Sequence, residues 1–149
     1  MISSEDLERS KFKWYSVDRI PKIGATPFII NTDLQSGPGI HWIAARRYGK
    51  KLFIVDSLGP NNYRQNDDVM FSQIRAQGLT PTFYDGKFQQ GAKKKLGNKA
   101  CGWYAQVSAT ILELSPTIKE ANERLYTLFG RTAGDNDVDT LVDIIHNAR

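Results

Sequence analysis

Three side chains in this 149-residue sequence are of the types that together perform nucleophilic acyl transfer: Cys101, His41 and Asp56. A thiolate attacks carbonyl carbon, an imidazole accepts and returns the proton near neutral pH, and a carboxylate fixes the imidazole tautomer. Cys101 is the only cysteine, and His41 and His146 are the only histidines. A single cysteine forms no internal disulfide, and with two histidines it falls short of the four ligands of a structural zinc site. Cys101 is therefore a free thiol.

A free cysteine is by default a small buried apolar residue, so its surroundings must argue for reactivity. Cys101 follows a polar, glycine-containing stretch and precedes Gly102-Trp103-Tyr104-Ala105-Gln106-Val107, a largely apolar helical run. The thiol thus falls in a first helical turn, where about half a positive charge, together with a neighbouring imidazolium, lowers a thiol from its ordinary value near 8.5. The Cys101 N–H points out of such a helix start as an oxyanion donor, and Gly102 permits close approach of a substrate. A structural cysteine would sit more naturally in mid-helix.

The elements that must carry the base are two strands, 40–47 and 52–56, joined through a tight turn at Tyr48-Gly49. That turn pairs His41 directly with Asp56, with Cβ atoms ~5 Å apart on one face. An ion pair on a solvated sheet edge has the same spacing. The neighbouring Trp42, Ile43, Ala44, Phe53, Ile54 and Val55 are apolar on both faces, as in a covered interior strand. His146 falls near the end of the last helix, where an imidazolium complements the helix dipole, which leaves His41 as the base. Gly91 to Gly97 with Lys99 has the look of a phosphate loop but lacks the Gly-Lys-Ser/Thr signature.

Elsewhere the pattern predicts a polar helix around 4–11, a buried strand at 28–30, a helix capped by Asn66 and stopped by Gly78, and a strand at 80–84. A long loop spans 85–100, and the chain then reads as helical: 102–114, a second helix capped by Ser115 and ending at Gly130, and a third at 135–147. Ile118, Ala121, Leu125, Leu128 and Phe129 form one apolar stripe, and Val138, Leu141, Val142 and Ile145 another; both read as core. Strands first and helices later, without repeat or linker, predict one α+β domain over 1–149, a small and mostly antiparallel sheet packed with helices.

The composition, 40% apolar and 24% charged, is that of an ordinary globular domain. Residues 1–13 lack the apolar core of a signal peptide, and no apolar run approaches the ~18 residues of a membrane span, so the expectation is a soluble intracellular protein with no membrane partner. The net charge of +4 is locally concentrated. Arg46, Arg47, Lys50 and Lys51 flank the hairpin turn, and Lys93, Lys94, Lys95 and Lys99 crowd the approach to Cys101. Such runs are commonly solvated faces, with nucleic-acid contact as the sharper reading.

Taken together, Phe28-Ile-Ile-Asn-Thr-Asp33, Gly37-Pro-Gly-Ile-His-Trp42, Phe53-Ile-Val-Asp-Ser-Leu-Gly59 and Ala100-Cys-Gly-Trp-Tyr104 resemble the adenovirus maturation protease family. Its relatives include proteases of virophages and other large DNA viruses, and the ubiquitin-like-protein proteases. The resemblance covers about 18–109 and implies that family's protease fold, with His41, Asp56 and Cys101 in the family's order. It also implies an oxyanion-hole glutamine a few residues before the cysteine. Lys94 and Lys95 stand at the usual spacing, so Gln90, followed by Gly91, is the match after a lysine-rich insertion, and Gln89 is the fallback.

The resemblance implies cleavage of viral capsid or core precursors, often after small residues, inside the infected cell and the virion. Substrate would run as an extended strand past Gly37 to Gly39 and Trp42. It implies DNA as an activator recruited through Lys93 to Lys99, with no cofactor needed for the chemistry; a disulfide-linked activating peptide is not supported, since the one cysteine is already committed. Two other functions fit the same residues: a deconjugase of ubiquitin-like modifiers or an acyltransferase using the same triad, and a non-enzymatic, basic nucleic-acid-binding protein with a buried cysteine.

Overall fold

The computed structural model describes residues 11–37, 41–60, 66–86 and 100–129, with residues 100 and 101 described by their backbone. Strands β1 (Trp14–Ser16), β2 (Phe28–Asn31), β3 (Trp42–Tyr48), β4 (Lys51–Val55) and β5 (Thr80–Phe83) form one sheet in sequence order. Helix α1 (Asp67–Ala76) connects β4 to β5, and helices α2 (Ala100–Glu113) and α3 (Ile118–Phe129) follow. The architecture is α+β, as the order of patterns predicts. The sheet, however, is mixed: β2-β3 and β3-β4 are antiparallel, whereas β1-β2 and β4-β5 are parallel. The parallel pair β4-β5 follows from α1, because strands joined through a helix can return in the same direction.

The sheet is covered on both faces, which explains why β3 and β4 read as continuous apolar runs. Trp42, Ala44, Phe53 and Val55 belong to one core with Val107 and Leu112 of α2 and Leu125 and Phe129 of α3. Ile43, Ala45, Leu52 and Ile54 belong to a second core with Met70 and Ile74 of α1. Strict alternation along each strand distributes one apolar run between two cores. In the α3 stripe Ala121, Leu125 and Phe129 are buried, and Ile118 and Leu128 pack against the same core.

Three local expectations are corrected, the first at α1, where Asn66 holds the N-cap position but makes no side-chain cap hydrogen bond. Tyr48 pairs with Lys51, so the hairpin turns through Gly49-Lys50, not Tyr48-Gly49. Gly49 has φ +62° and Lys50 does not share it, so glycine takes the first central position, as a type II′ turn requires. Helix α3 begins at Ile118, and its cap is Thr117, whose Oγ1 accepts the Glu120 N–H at 3.2 Å. Ser115 instead donates its hydroxyl to the Ile111 carbonyl, so it serves the preceding helix. Strand β1 was not legible, since three residues of mixed polarity carry no period. The helices expected at 4–11 and 135–147 lie outside the described residues, except for Lys11.

Candidate active site

His41 immediately precedes β3 and Asp56 immediately follows β4. Extending the ladder beyond Ala44–Val55 sets Ile43, not His41, opposite Asp56. The register differs from the expected one by two residues, and because side chains alternate with a period of two, His41 and Asp56 keep the same face as diagonal neighbours. Their side chains meet: His41 Nε2 lies 2.8 Å from Asp56 Oδ1, and the two residues are only 3% and 4% exposed.

Further bonds hold each member in place. Asp56 Oδ1 also accepts the Leu58 N–H at 2.9 Å, and the Asp56 carbonyl accepts the Gly59 N–H at 2.9 Å. The carboxylate is thereby fixed on a turn, independently of His41. The His41 carbonyl accepts the Thr32 N–H at 2.8 Å, which ties the base to the end of β2. An ionised carboxylate can only accept, so the Nε2 that faces it carries a proton. For a neutral ring, this bond selects the Nε2–H tautomer and leaves Nδ1 as the atom that accepts a proton.

Helix α2 contributes its N-terminal end. Arg46 and Tyr48, late in β3, hold the opposite end of the helix. The Arg46 guanidinium donates to the Leu112 and Ser115 carbonyls, and the Tyr48 hydroxyl donates to the same two oxygens at 3.2 and 2.8 Å. These groups add donors at the helix end, where the Leu112 carbonyl also accepts the Ser115 N–H at 3.1 Å. Counting back from Leu112 to Cys101 covers about 16 Å of helix, and from Arg46 to His41 about 16 Å of strand. Tyr104, Ala105 and Val107 of α2 share one core with Trp42 and Ala44 of β3, and a straight helix running back along that strand would bring its first turn toward the sheet end that carries His41. The Cys101 backbone is the second residue of α2, and no acidic residue occupies that first turn. The contrast with α1, whose first turn holds Asp67 and Asp68, is pertinent because a carboxylate there would oppose thiolate formation.

Gln89 and Gln90, together with Lys93, Lys94, Lys95 and Lys99, lie outside the described residues, as does His146. The basic cluster at the hairpin is partly committed to internal bonds. Besides Arg46, Arg47 donates to the Gly49 and Ile23 carbonyls at 2.8 and 3.0 Å. No group of three or more His, Cys, Asp or Glu side chains among the described residues could hold a metal ion.

The segment after β2 adds residues that the spacing argument left without roles. Asp33, 7% exposed, accepts the Leu34 N–H at 2.8 Å and the Asn66 side-chain amide at 3.2 Å. Its own N–H donates to Asn31 Oδ1 at 2.9 Å. A Cβ at Gly37 would overlap the Asp33 carboxylate, so the Gly37-Pro38-Gly39 sequence has a steric reason at its first position. Asp33 joins the end of β2, the turn approaching His41 and the start of α1. The cue was an acidic residue between an apolar strand and a glycine turn, too common a pattern to single out.

Trp42 is fixed by Trp14 of β1, with ring centroids 5.2 Å apart in an edge-to-face arrangement. The chain matches no family model and no curated protein. Among the described residues, no helix is long and apolar enough to cross a membrane.

Proposed function

We propose that the protein is a cysteine endopeptidase in which Cys101 is the nucleophile, His41 the base and Asp56 the carboxylate that orients it. The observation that carries the reading is the buried His41–Asp56 hydrogen bond at the sheet end to which the first turn of α2 is directed. A bare structural ion pair has no need of a second element there. A neutral imidazole held in one tautomer by Asp56 is what a thiol in the first turn of a neighbouring helix needs as its base.

In this mechanism His41 Nδ1 takes the Cys101 proton and the thiolate attacks the scissile carbonyl. The Cys101 N–H holds the oxyanion, with the Gln90 amide as the second donor. The imidazolium then protonates the leaving amine as the C–N bond breaks, and water hydrolyses the thioester with His41 again as base. The resemblance to the adenovirus maturation protease family supplies the proposed fold family, the substrates, viral capsid or core precursors, and the setting, infected cell and virion. DNA bound through Lys93, Lys94, Lys95 and Lys99 is the proposed activator.

Cys101→Ala should fold with an unchanged melting temperature and lose all cleavage of precursor proteins; turnover by this variant would exclude Cys101 as nucleophile. Parallel incubation with conjugates of ubiquitin-like modifiers, read by product mass, distinguishes endopeptidase from deconjugase.

A further inference from the structure

A cavity of about 320 Å³ opens at the far end of the sheet from His41. Its walls come from the chain entering β1 and from the segment leading into β2. Phe28, the first residue of β2, lines it, whereas the other end of β2 leads to Thr32 and the His41 carbonyl. The two sites are separated by the length of that strand, about 13 Å. The cavity is independent of the proposed triad.

Its chemistry is one-sided. Lys11, Lys13 and Lys22 line it and no carboxylate does. Lys11 is paired with Glu113, but Lys13 and Lys22 are exposed and have no ion-pair partner among the described residues. Beneath them Ile23, Pro27 and Phe28 are buried and give an apolar floor. Tyr15, half-buried, packs edge-to-face on Phe28 at 5.9 Å and adds an aromatic wall. Two ammonium groups over a concave apolar floor focus positive potential on a small anion and offer a flat group a surface to pack against. The volume lies at the lower end of the ~300–1,000 Å³ range of small-molecule sites.

We propose that this cavity binds a mononucleotide, with Lys13 and Lys22 holding the phosphate and the base lying against Tyr15. Lysine contacts phosphate as a mobile point charge, so binding is salt-sensitive and the phosphate supplies most of the discrimination.

Calorimetric titration of the full chain at low ionic strength tests the site, with AMP, adenosine and inorganic phosphate as ligands. AMP should bind at least tenfold more tightly than either fragment. Lys13→Ala/Lys22→Ala should weaken AMP at least fivefold, while Lys50→Ala/Lys51→Ala, which removes the same charge from the hairpin, should leave it unchanged. Absence of AMP binding, AMP binding no tighter than phosphate, or equal weakening by both double variants would overturn the proposal. Retained peptidase activity in Lys13→Ala/Lys22→Ala would show that its failure and that of the triad are separate matters.

Discussion

A buried carboxylate gives a buried imidazole a fixed orientation and a counter-charge, and Asp56 stands in that relation to His41. Asp56 accepts from both His41 and the Leu58 N–H, so an amide at this position can keep the turn while losing the charge and the strict acceptor character that fix the tautomer. Asp56→Asn should therefore remain folded and lose about a thousandfold or more in kcat/KM. Steady-state kinetics and a thermal melt on the same preparation check both halves. Gly37 bears on the same region through sterics: a methyl group there displaces the Asp33 carboxylate from Leu34 and Asn66. Gly37→Ala should destabilise the protein by about 1–3 kcal/mol, measurable in urea as a lower midpoint with an unchanged slope.

Among the elements, α2 matters most, because it must set its first turn beside the start of β3. Its other end is held by Arg46 and Tyr48, which themselves pack together, the guanidinium 4.7 Å from the ring centre. Burial raises the Tyr48 hydroxyl above the ordinary tyrosine value near 10, although Arg46 acts in the opposite direction. A raised value in the folded state means that the folded protein retains the proton longer than the unfolded chain does. The contribution is thus complete below about pH 10 and is lost as pH rises through the folded value. Tyr48→Phe should cost about 1 kcal/mol at pH 8, and its deficit relative to wild type should shrink as pH rises above about 10 in melting experiments. A deficit independent of pH would deny the hydroxyl its bonds to Leu112 and Ser115.

Strands β2 to β5 and helices α1 to α3 were legible because apolar runs and first-turn acids are local signals, whereas the expected side-chain caps Asn66 and Ser115 do not cap. The acids Asp67 and Asp68 open α1 directly after Asn66. The hairpin register was not legible, since Tyr48-Gly49 and Gly49-Lys50 are both acceptable turns and only long-range packing chooses between them. The placement of His41 beside Asp56 survived because the difference was an even number of residues. The roles of Asp33 and of Arg46 depend on partners 33 and 66 or more positions away, and no spacing within the sequence encodes them.

For the molecule as a whole, a sheet with a core on each face makes a rigid frame on which three remote segments converge. β3 and β4 deliver the base and its carboxylate at one sheet end, and α2 packs on the face of β3 that holds Trp42 and Ala44, from which the proposed mechanism has its first turn reach the same end. The basic charge is likewise not a uniform field: Arg46 and Arg47 bond internal carbonyls, while Lys13 and Lys22 stand around a cavity at the opposite end. The composition alone reports only the sum. The most direct test of the central claim uses the fact that Cys101 is the only cysteine, so that alkylation by iodoacetamide gives one unambiguous mass shift. Measured from pH 5 to 9, the alkylation rate of the wild-type protein should already be substantial near pH 6, and in His41→Ala it should fall back to the titration of an ordinary thiol near 8.5. Identical profiles for the two proteins, both centred near 8.5 or both unreactive, would contradict the assignment of Cys101 and His41 as nucleophile and base.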